Sequence, residues 1–450
     1  MVEFVPCLDP PLLPTEEGGN LSPSSVMLDG TAYISADAVS NATTAVGQMS
    51  NGAPIHVSFC LARPPRLSYI CVHFPSPVLG PDVGTVWGPA VRCVWNPLLV
   101  ISTEANLALL HISIPGSLRV NDHSAFDYFV YAARPRAGAS TLDLLPKPTG
   151  FPRFRDRDTA IVHCSGSRYV IAVLSTIRCG VKVGWQGSYV RGLRLWCLGP
   201  MEWSLQLYDS DTRGWTSKPL PPVEAPERDR VLPIPDSATT VLFHENTKVI
   251  VLESTTPVLR DMPLPKPARC NRGSFCKGDP YWHRDITVVT LPEQSQMSIK
   301  YQVDRSSSSS DDDDVDDYWT ATVWTMPVPI ASWKDWHKDC TIDAASIAID
   351  NPMHRELLPR LTVDPEEVSV TFSRLLTAHP TLGLGMNGDV VVYLLSKVDY
   401  RAREGWVIAV GTKDSKLQGI AKLDDRKNFS LRRYYRSTDI SKYLTKATGN

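Results

Sequence analysis

The chain has no apolar run approaching the ~18–20 residues that span a bilayer as a helix, so no segment of it reads as a membrane anchor of that kind. Its opening residues, Met1 to Pro10, lack the basic and apolar stretches of a secretory signal. An excess of either charge is missing too. Lys and Arg total 46 against 48 Asp and Glu, a net of −2, without the basic surplus of a dedicated nucleic-acid binder. Glycine is scarcer than proline, 27 against 37. Prolines at that density are kept out of helix interiors, where each removes a hydrogen bond and clashes with the preceding turn, so long-helix architectures are excluded. No Gly-x-Ser-x-Gly elbow and no His-Glu-x-x-His zinc motif occurs.

Without a secretory signal, the expected compartment is cytoplasmic or nuclear. The ten cysteines are then read as reduced, mostly buried thiols. Cys60 and Cys71 flank a hairpin and can approach each other, but a disulfide is not expected there. The sequons at Asn20, Asn41 and Asn428 carry no consequence for the same reason.

What is present is a succession of short strand-like runs rich in β-branched and aromatic residues. They are Ile55–Cys60, Tyr69–His73, Tyr128–Tyr131, Tyr169–Leu174, Leu205–Tyr208, Lys248–Leu252, Ile286–Thr290, Ala321–Trp324, Val390–Leu395 and Trp406–Val410. Several are apolar on both faces, as inner strands of a packed β structure must be. Pro352–Leu358 follows an Asp-Asn pair suited to capping and predicts one or two helical turns. Glu366–Leu376 fits helix or strand equally.

A degenerate repeat links these runs. Phe129 leads through a turn to Thr141–Pro146, Leu205 to Trp215–Pro221, Val249 to Leu259–Pro265, Ala321 to Trp333–Trp336, and Val407 to Leu417–Ile420. Each reads as a hairpin whose second strand opens on Trp or Leu. The interval from Leu205 to Val249 is about the length of one propeller blade. The expected fold is all-β and β-propeller-like, with six or seven blades and kelch-like hairpins forming their outer halves. Tandem β-sandwiches are the alternative. Residues 1–24 read as a flexible lead, 25–446 as a single domain, and 304–317 as an acidic loop within it.

Several patterns come close to chemistry without reaching it. Gly383-x-Gly385-x-x-Gly388 has the dinucleotide-binding spacing, but that role needs a helix next, and Asp389–Tyr393 reads as a strand. His163-Cys164 with Arg168 superficially resembles a phosphatase loop, two residues too short to wrap a phosphate. Cys270, Cys276 and His283 are zinc-ligand types without a structural-zinc spacing. No catalytic, cofactor-binding or metal-binding residues are assigned. The Asp304–Asp317 block carries seven Asp and one Arg, which places Ser308, Ser309 and Ser310 as candidate sites for an acid-directed kinase, since each has an Asp three residues on. Lys422–Lys446 carries eight basic and three acidic residues interleaved with aromatics. A final strand closing the fold is preferred there to RNA binding.

Val26–Asp29, Asn41–Ala45, Pro64–His73, Asp127–Tyr131, Leu142–Pro146, Trp319–Trp324, His379–Leu382, Trp406–Val410 and Ser441–Leu444 together resemble the grass-expanded plant family of domain-of-unknown-function 1618 proteins. The resemblance implies no catalytic residues, because none is established for the family. Two departures stand out. Relatives carry a Trp- and Asp-containing stretch that is missing around Val251–Arg260, which implies an incomplete blade, and Cys179–Glu202 is longer than the family pattern. The expected role is a non-enzymatic interaction scaffold or adaptor for a protein or peptide. The alternative is an enzyme with its site in a central propeller channel. No membrane and no nucleic-acid partner is expected.

Overall fold

The computed structural model describes residues 25–35, 40–75, 99–114, 126–133, 139–147, 159–164, 166–178, 201–220, 238–244, 248–253, 257–261, 284–290, 297–306, 319–327, 336–358, 362–364, 367–368, 375–385, 388–398, 404–423 and 435–444, with positions 10, 372 and 402. These residues form an all-β architecture of small, mainly antiparallel sheets. Each of the ten strand-like runs named above lies on a strand.

The first sheet contains β1 (Val26–Asp29), β2 (Tyr33–Ile34), β3 (Ala45–Gln48), β4 (Pro54–Cys60) and β5 (Leu67–His73). Its order is β1-β5-β4-β3, with β2 also on β5, and β1 and β2 run parallel to β5. The second is an antiparallel meander of β6 (Leu99–Glu104), β7 (Leu107–Ser113), β8 (Phe126–Ala132) and β9 (Thr141–Leu144). The third is β10 (Thr159–His163), β11 (Tyr169–Arg178), β12 (Met201–Asp209) and β13 (Gly214–Leu220). The fourth has three strands among the described residues, β14 (Ala238–His244), β15 (Lys248–Glu253) and β16 (Pro257–Asp261). The fifth is β17 (Arg284–Thr290), β18 (Met297–Ser306), β19 (Trp319–Pro327) and β20 (His337–Asp343). After α1 (Pro352–Leu357) and the short pair β21 (Thr362–Asp364) and β22 (Glu367–Val368) comes the last meander. It holds β23 (Leu376–Leu384), β24 (Val390–Lys397), β25 (Trp406–Gly411) and β26 (Leu417–Lys422). The chain then adds β27 (Tyr435–Thr438), antiparallel to β1, and α2 (Ser441–Leu444).

All five hairpins of the repeat are the last two strands of a sheet: β8–β9, β12–β13, β15–β16, β19–β20 and β25–β26. One start differs. The second strand of the β19 hairpin begins at His337 rather than Trp333. The sheet with three described strands is the one holding Val251–Arg260. The undecided segment 366–376 contributes the two residues of β22 and the first residue of β23.

Two compact units divide the chain. The larger comprises Met1–Lys147, Leu264–Ile330 and Lys334–Asn450, the smaller Pro148–Pro263 with Ala331–Trp333. In the larger unit, period-2 alternation decides how sheets stack. Val390, Val392 and Leu394 of β24, with Trp406, Ile408 and Val410 of β25, pack against Trp319, Ala321 and Val323 of β19. The alternate residues Val391, Tyr393 and Leu395, with Val407 and Ala409, pack against Met27 of β1 and Tyr435 of β27. That sheet is therefore buried on both faces, which is why its strands read as unbroken apolar runs. On its other side, the first sheet places Ile55, Val57 and Phe59 against Leu110, Phe129 and Tyr131 of the second. Four sheets thus stack face to face, each full side-chain burial contributing about 1.5–3 kcal/mol.

Two buried carboxylates within the stack are paired. Asp127 accepts from the Ser50 amide at 2.7 Å and faces the Lys147 ammonium at 3.2 Å. The Asp29 carboxylate accepts from the Tyr33 hydroxyl at 2.5 Å and the Thr31 amide at 2.9 Å.

Gly383 owes its place to the crossing of β23 and β27. A Cβ there would lie 2.7 Å from Ser437 Oγ and 3.0 Å from the Tyr393 ring. Gly383→Ala is therefore expected to lower stability by about 1–3 kcal/mol, the usual cost of overpacking, seen as a reduced urea midpoint with an unchanged m-value.

Candidate functional site

The segment that follows β20 lies along β26, the outer strand of the last meander. Ala348 bridges Lys416, Leu417 N–H donates to the Ala348 carbonyl at 3.0 Å, and Lys416 pairs with Asp350 at 2.7 Å. The Asp350 carboxylate holds the Lys416 ammonium above the usual lysine range. This cover occupies an edge that would otherwise offer unpaired backbone groups to another chain.

The cover ends in α1. The Asn351 side chain accepts from Met353 N–H at 2.9 Å, an N-cap, and Pro352 begins the helix, where its missing N–H costs nothing. The helix is fixed at its other end as well. Trp406, buried at the start of β25, donates its indole N–H to the Leu357 carbonyl at 2.9 Å, and Leu358 enters the core with Phe372 and Leu375. Anchored at both ends, α1 directs Met353 and Leu357, four residues apart on one face, outward at 71% and 46% exposure.

Leu376, at 41%, opens β23 and is in register with Lys397, and Val398, at 37%, follows β24. Ser396 is in register with Trp406, so Leu376 and Val398 lie at the end of the sheet where the helix is anchored, Leu376 on the face opposite Trp406. The corner at α1 thus combines the exposed apolar Met353 and Leu357 with a rigid support. Sequence reasoning predicted the helix from its cap but not its role, because the Trp406–Leu357 bond joins residues 49 apart.

The near-motifs resolve structurally. Gly383 lies on β23 and Gly385 and Gly388 in the turn to β24, where Gly388 has φ +82° and donates to the Gly385 carbonyl at 3.0 Å. It is a strand–turn–strand, as read, with no helix N-terminus for a pyrophosphate. His163, Cys164 and Arg168 flank the β10–β11 turn. Arg168 donates to both carboxylate oxygens of Asp209, at 2.7 and 3.4 Å, which holds that carboxyl below its usual range. Its guanidinium is turned to β12, and the Cys164 thiol is half-buried and not in a disulfide.

Cys270, Cys276 and His283 lie outside the described residues, as do Ser308, Ser309 and Ser310, most of 1–24, and 179–200. Asp304, Arg305 and Ser306 finish β18, and the remainder of the acidic block is undescribed. Of the basic C-terminal stretch, Tyr435–Thr438 forms strand β27, paired with β1. Among the described residues no three His, Cys, Asp or Glu side chains gather as a metal site, and no helix is long and apolar enough to cross a membrane.

A second cluster lies in the first sheet. Tyr33, Tyr69 and Cys71 are buried together with Cys60 packed against them. The two tyrosine rings meet edge to face at 5.2 Å, and the sulfurs of Cys60 and Cys71 are 3.9 Å apart without being joined in a disulfide.

Residues 236–393 match the family model described as Protein of unknown function (DUF1618), which bears out the resemblance to the domain-of-unknown-function 1618 family. No curated protein matches the chain. Among solved structures, that of alpha-L-arabinofuranosidase from Lactobacillus brevis is similar over 65% of this chain and 81% of that one. The identity is 10% and the TM-score 0.26, too slight a likeness to bear on fold or function.

Proposed function

We propose that the chain is a non-enzymatic interaction scaffold whose apolar corner at α1 binds a protein or peptide partner. The observation that carries this reading is the exposure of Met353 and Leu357 on a helix capped by Asn351 and anchored by Trp406. Apolar side chains held in place on a rigid support lose little entropy on binding, whereas the same residues on a loose segment would fold back onto the protein.

The scaffold itself is read as a propeller of six or seven blades within one domain, 25–446, in the cytoplasm or nucleus. Supporting this are the meanders that follow one another in chain order, the face-to-face stacking of four sheets in the larger unit, and the addition of β27 to β1. In this reading β14–β16 is the incomplete blade.

The test places a photo-crosslinking side chain at Met353 and, as a control, at exposed Lys442. A partner captured at Met353 is purified and its affinity measured directly. The double variant Met353→Asp, Leu357→Asp is expected to weaken that affinity at least tenfold, as loss of a hot spot does, while the thermal midpoint stays unchanged. Equal capture at both positions, or an affinity unmoved by the double variant, overturns the reading.

A further inference from the structure

We propose that Cys60 and Cys71 form a peroxide-oxidisable dithiol, with Cys60 the attacking thiol and Cys71 the resolving one. The pairing follows from register. Cys60 is opposite Tyr69 and Ser58 opposite Cys71, so the two cysteines are diagonal neighbours on one face of the β4–β5 hairpin. Their sulfurs stand 3.9 Å apart, about sulfur contact distance. Cys60 is half-buried at the end of its strand, and Cys71 is buried beneath it.

The surroundings divide the roles. A hydrogen bond from Cys71, followed by one from the Tyr69 hydroxyl, lowers the Cys60 pKa against the opposing effect of burial. Burial pushes the Tyr69 phenol up, and the neighbouring thiols push it further, so Tyr69 remains a neutral donor. An accessible sulfur supplied with two donors favours the thiolate, the nucleophile in thiol chemistry. Cys164 and Cys340 are half-buried thiols in other sheets and serve as internal references.

The chemistry balances with hydrogen peroxide as oxidant. The Cys60 thiolate attacks one peroxide oxygen, the O–O bond breaks, and hydroxide leaves as water after taking a proton, giving Cys60 sulfenic acid. The Cys71 sulfur then attacks the Cys60 sulfur. The S–S bond forms, the S–O bond breaks, and the hydroxide takes the Cys71 proton and departs as water. Two thiols and one peroxide become one disulfide and two waters. Diagonal neighbours on paired strands have Cα atoms about 7–8 Å apart, beyond the ~4.4–6.8 Å of a relaxed disulfide. Closing the bridge must draw β4 and β5 together, and the strained product is readily reduced.

The experiment exposes the full reduced chain to hydrogen peroxide and maps the products by peptide mass. Cleavage after Arg66 separates the two cysteines, so a bridge registers as a linked peptide pair. The expected result is a Cys60–Cys71 link that thiol reductant reverses. In Cys71→Ser, Cys60 is expected to accumulate as sulfenic acid and to be trapped by dimedone about tenfold faster than Cys164 or Cys340, while Cys60→Ser leaves Cys71 unoxidised. Cys71→Ala repeats the measurement should serine disturb the buried site, with circular dichroism confirming the fold. The proposal fails if no 60–71 link forms, or if Cys60 in the folded single variants reacts no faster than Cys164 and Cys340.

Discussion

A chain ending at residue 434 is expected to lose the cooperative unfolding of the larger unit. The missing residues include β27, which is in register with β1 from Val26↔Thr438 to Asp29↔Tyr435, and α2. They also remove Tyr435 from the core containing Met27 and Tyr393, and Ile440 and Leu444 from the core containing Leu28, Ile55 and Phe59. Three buried side chains at about 1.5–3 kcal/mol each, with the ladder's hydrogen bonds, approach the ~5–15 kcal/mol total of an ordinary domain. Near-ultraviolet circular dichroism and a thermal scan read the outcome. A synthetic peptide of residues 431–450 should restore the signal in trans by strand addition. The point variant Ile440→Ala should cost about 2–5 kcal/mol and separate loss of packing from loss of the strand. A truncated chain that melts at the full-length temperature would mean that β27 contributes little to the stack.

Raising the pH should destabilise the protein steeply above about pH 10. Burial pushes the Tyr131 and Tyr393 phenols up to about 12 each, against ~10 in an unfolded chain. Between those values the folded state holds protons that the unfolded state has released, so stability is complete below pH ~10 and falls as the pH rises through ~12. At ~1.4 kcal/mol per pH unit the loss is roughly 3 kcal/mol for each tyrosine, enough for base-induced unfolding. Urea midpoints measured across this range, with phenolate absorbance as a second readout, follow it. Tyr393→Phe should remove about a third of the pH dependence, because the Tyr69 phenol, also pushed up by burial, shares it with Tyr131 and Tyr393. Tyr131→Phe should do the same but lower stability at neutral pH, because the Tyr131 hydroxyl donates to the Thr43 carbonyl at 2.6 Å in the core and a buried acceptor would lose its partner. A midpoint that stays level from pH 10 to 12 would contradict the assignment.

Both predictions turn on contacts of different legibility. The buried tyrosines sit on β8 and β24, whose apolar runs mark them as strands from composition alone. The β27–β1 pairing joins the two ends of the described chain, and only a general expectation of a closing strand anticipated it. The repeat was legible because each hairpin is local: strand, polar turn and Trp- or Leu-led strand lie within about twenty residues. Most first strands of the sheets escaped that reading, β17 being an exception. β23 carries a bulge between Ala378 and Thr381 and β6 one between Val100 and Ser102, which breaks alternation, and β1 has only four residues. The apolar corner stayed hidden for a related reason. Met353 and Leu357 look like core residues of a short helix, and only the Trp406 anchor decides that they face outward. The Cys60–Cys71 approach was visible as a hairpin possibility, but their common face depends on a register set by the turn.

By itself, the sequence determined the class of structure: an excess of proline, β-branched strands and local hairpins leave no alternative to an all-β chain. The tertiary structure decided which sheets stack, that the last strand pairs with the first, and which side chains of α1 reach solvent. Period-2 patterns and turns are encoded by neighbours in the chain. Pairings between distant strands are selected by competition among many similar apolar faces, and that choice is made only when the whole core packs.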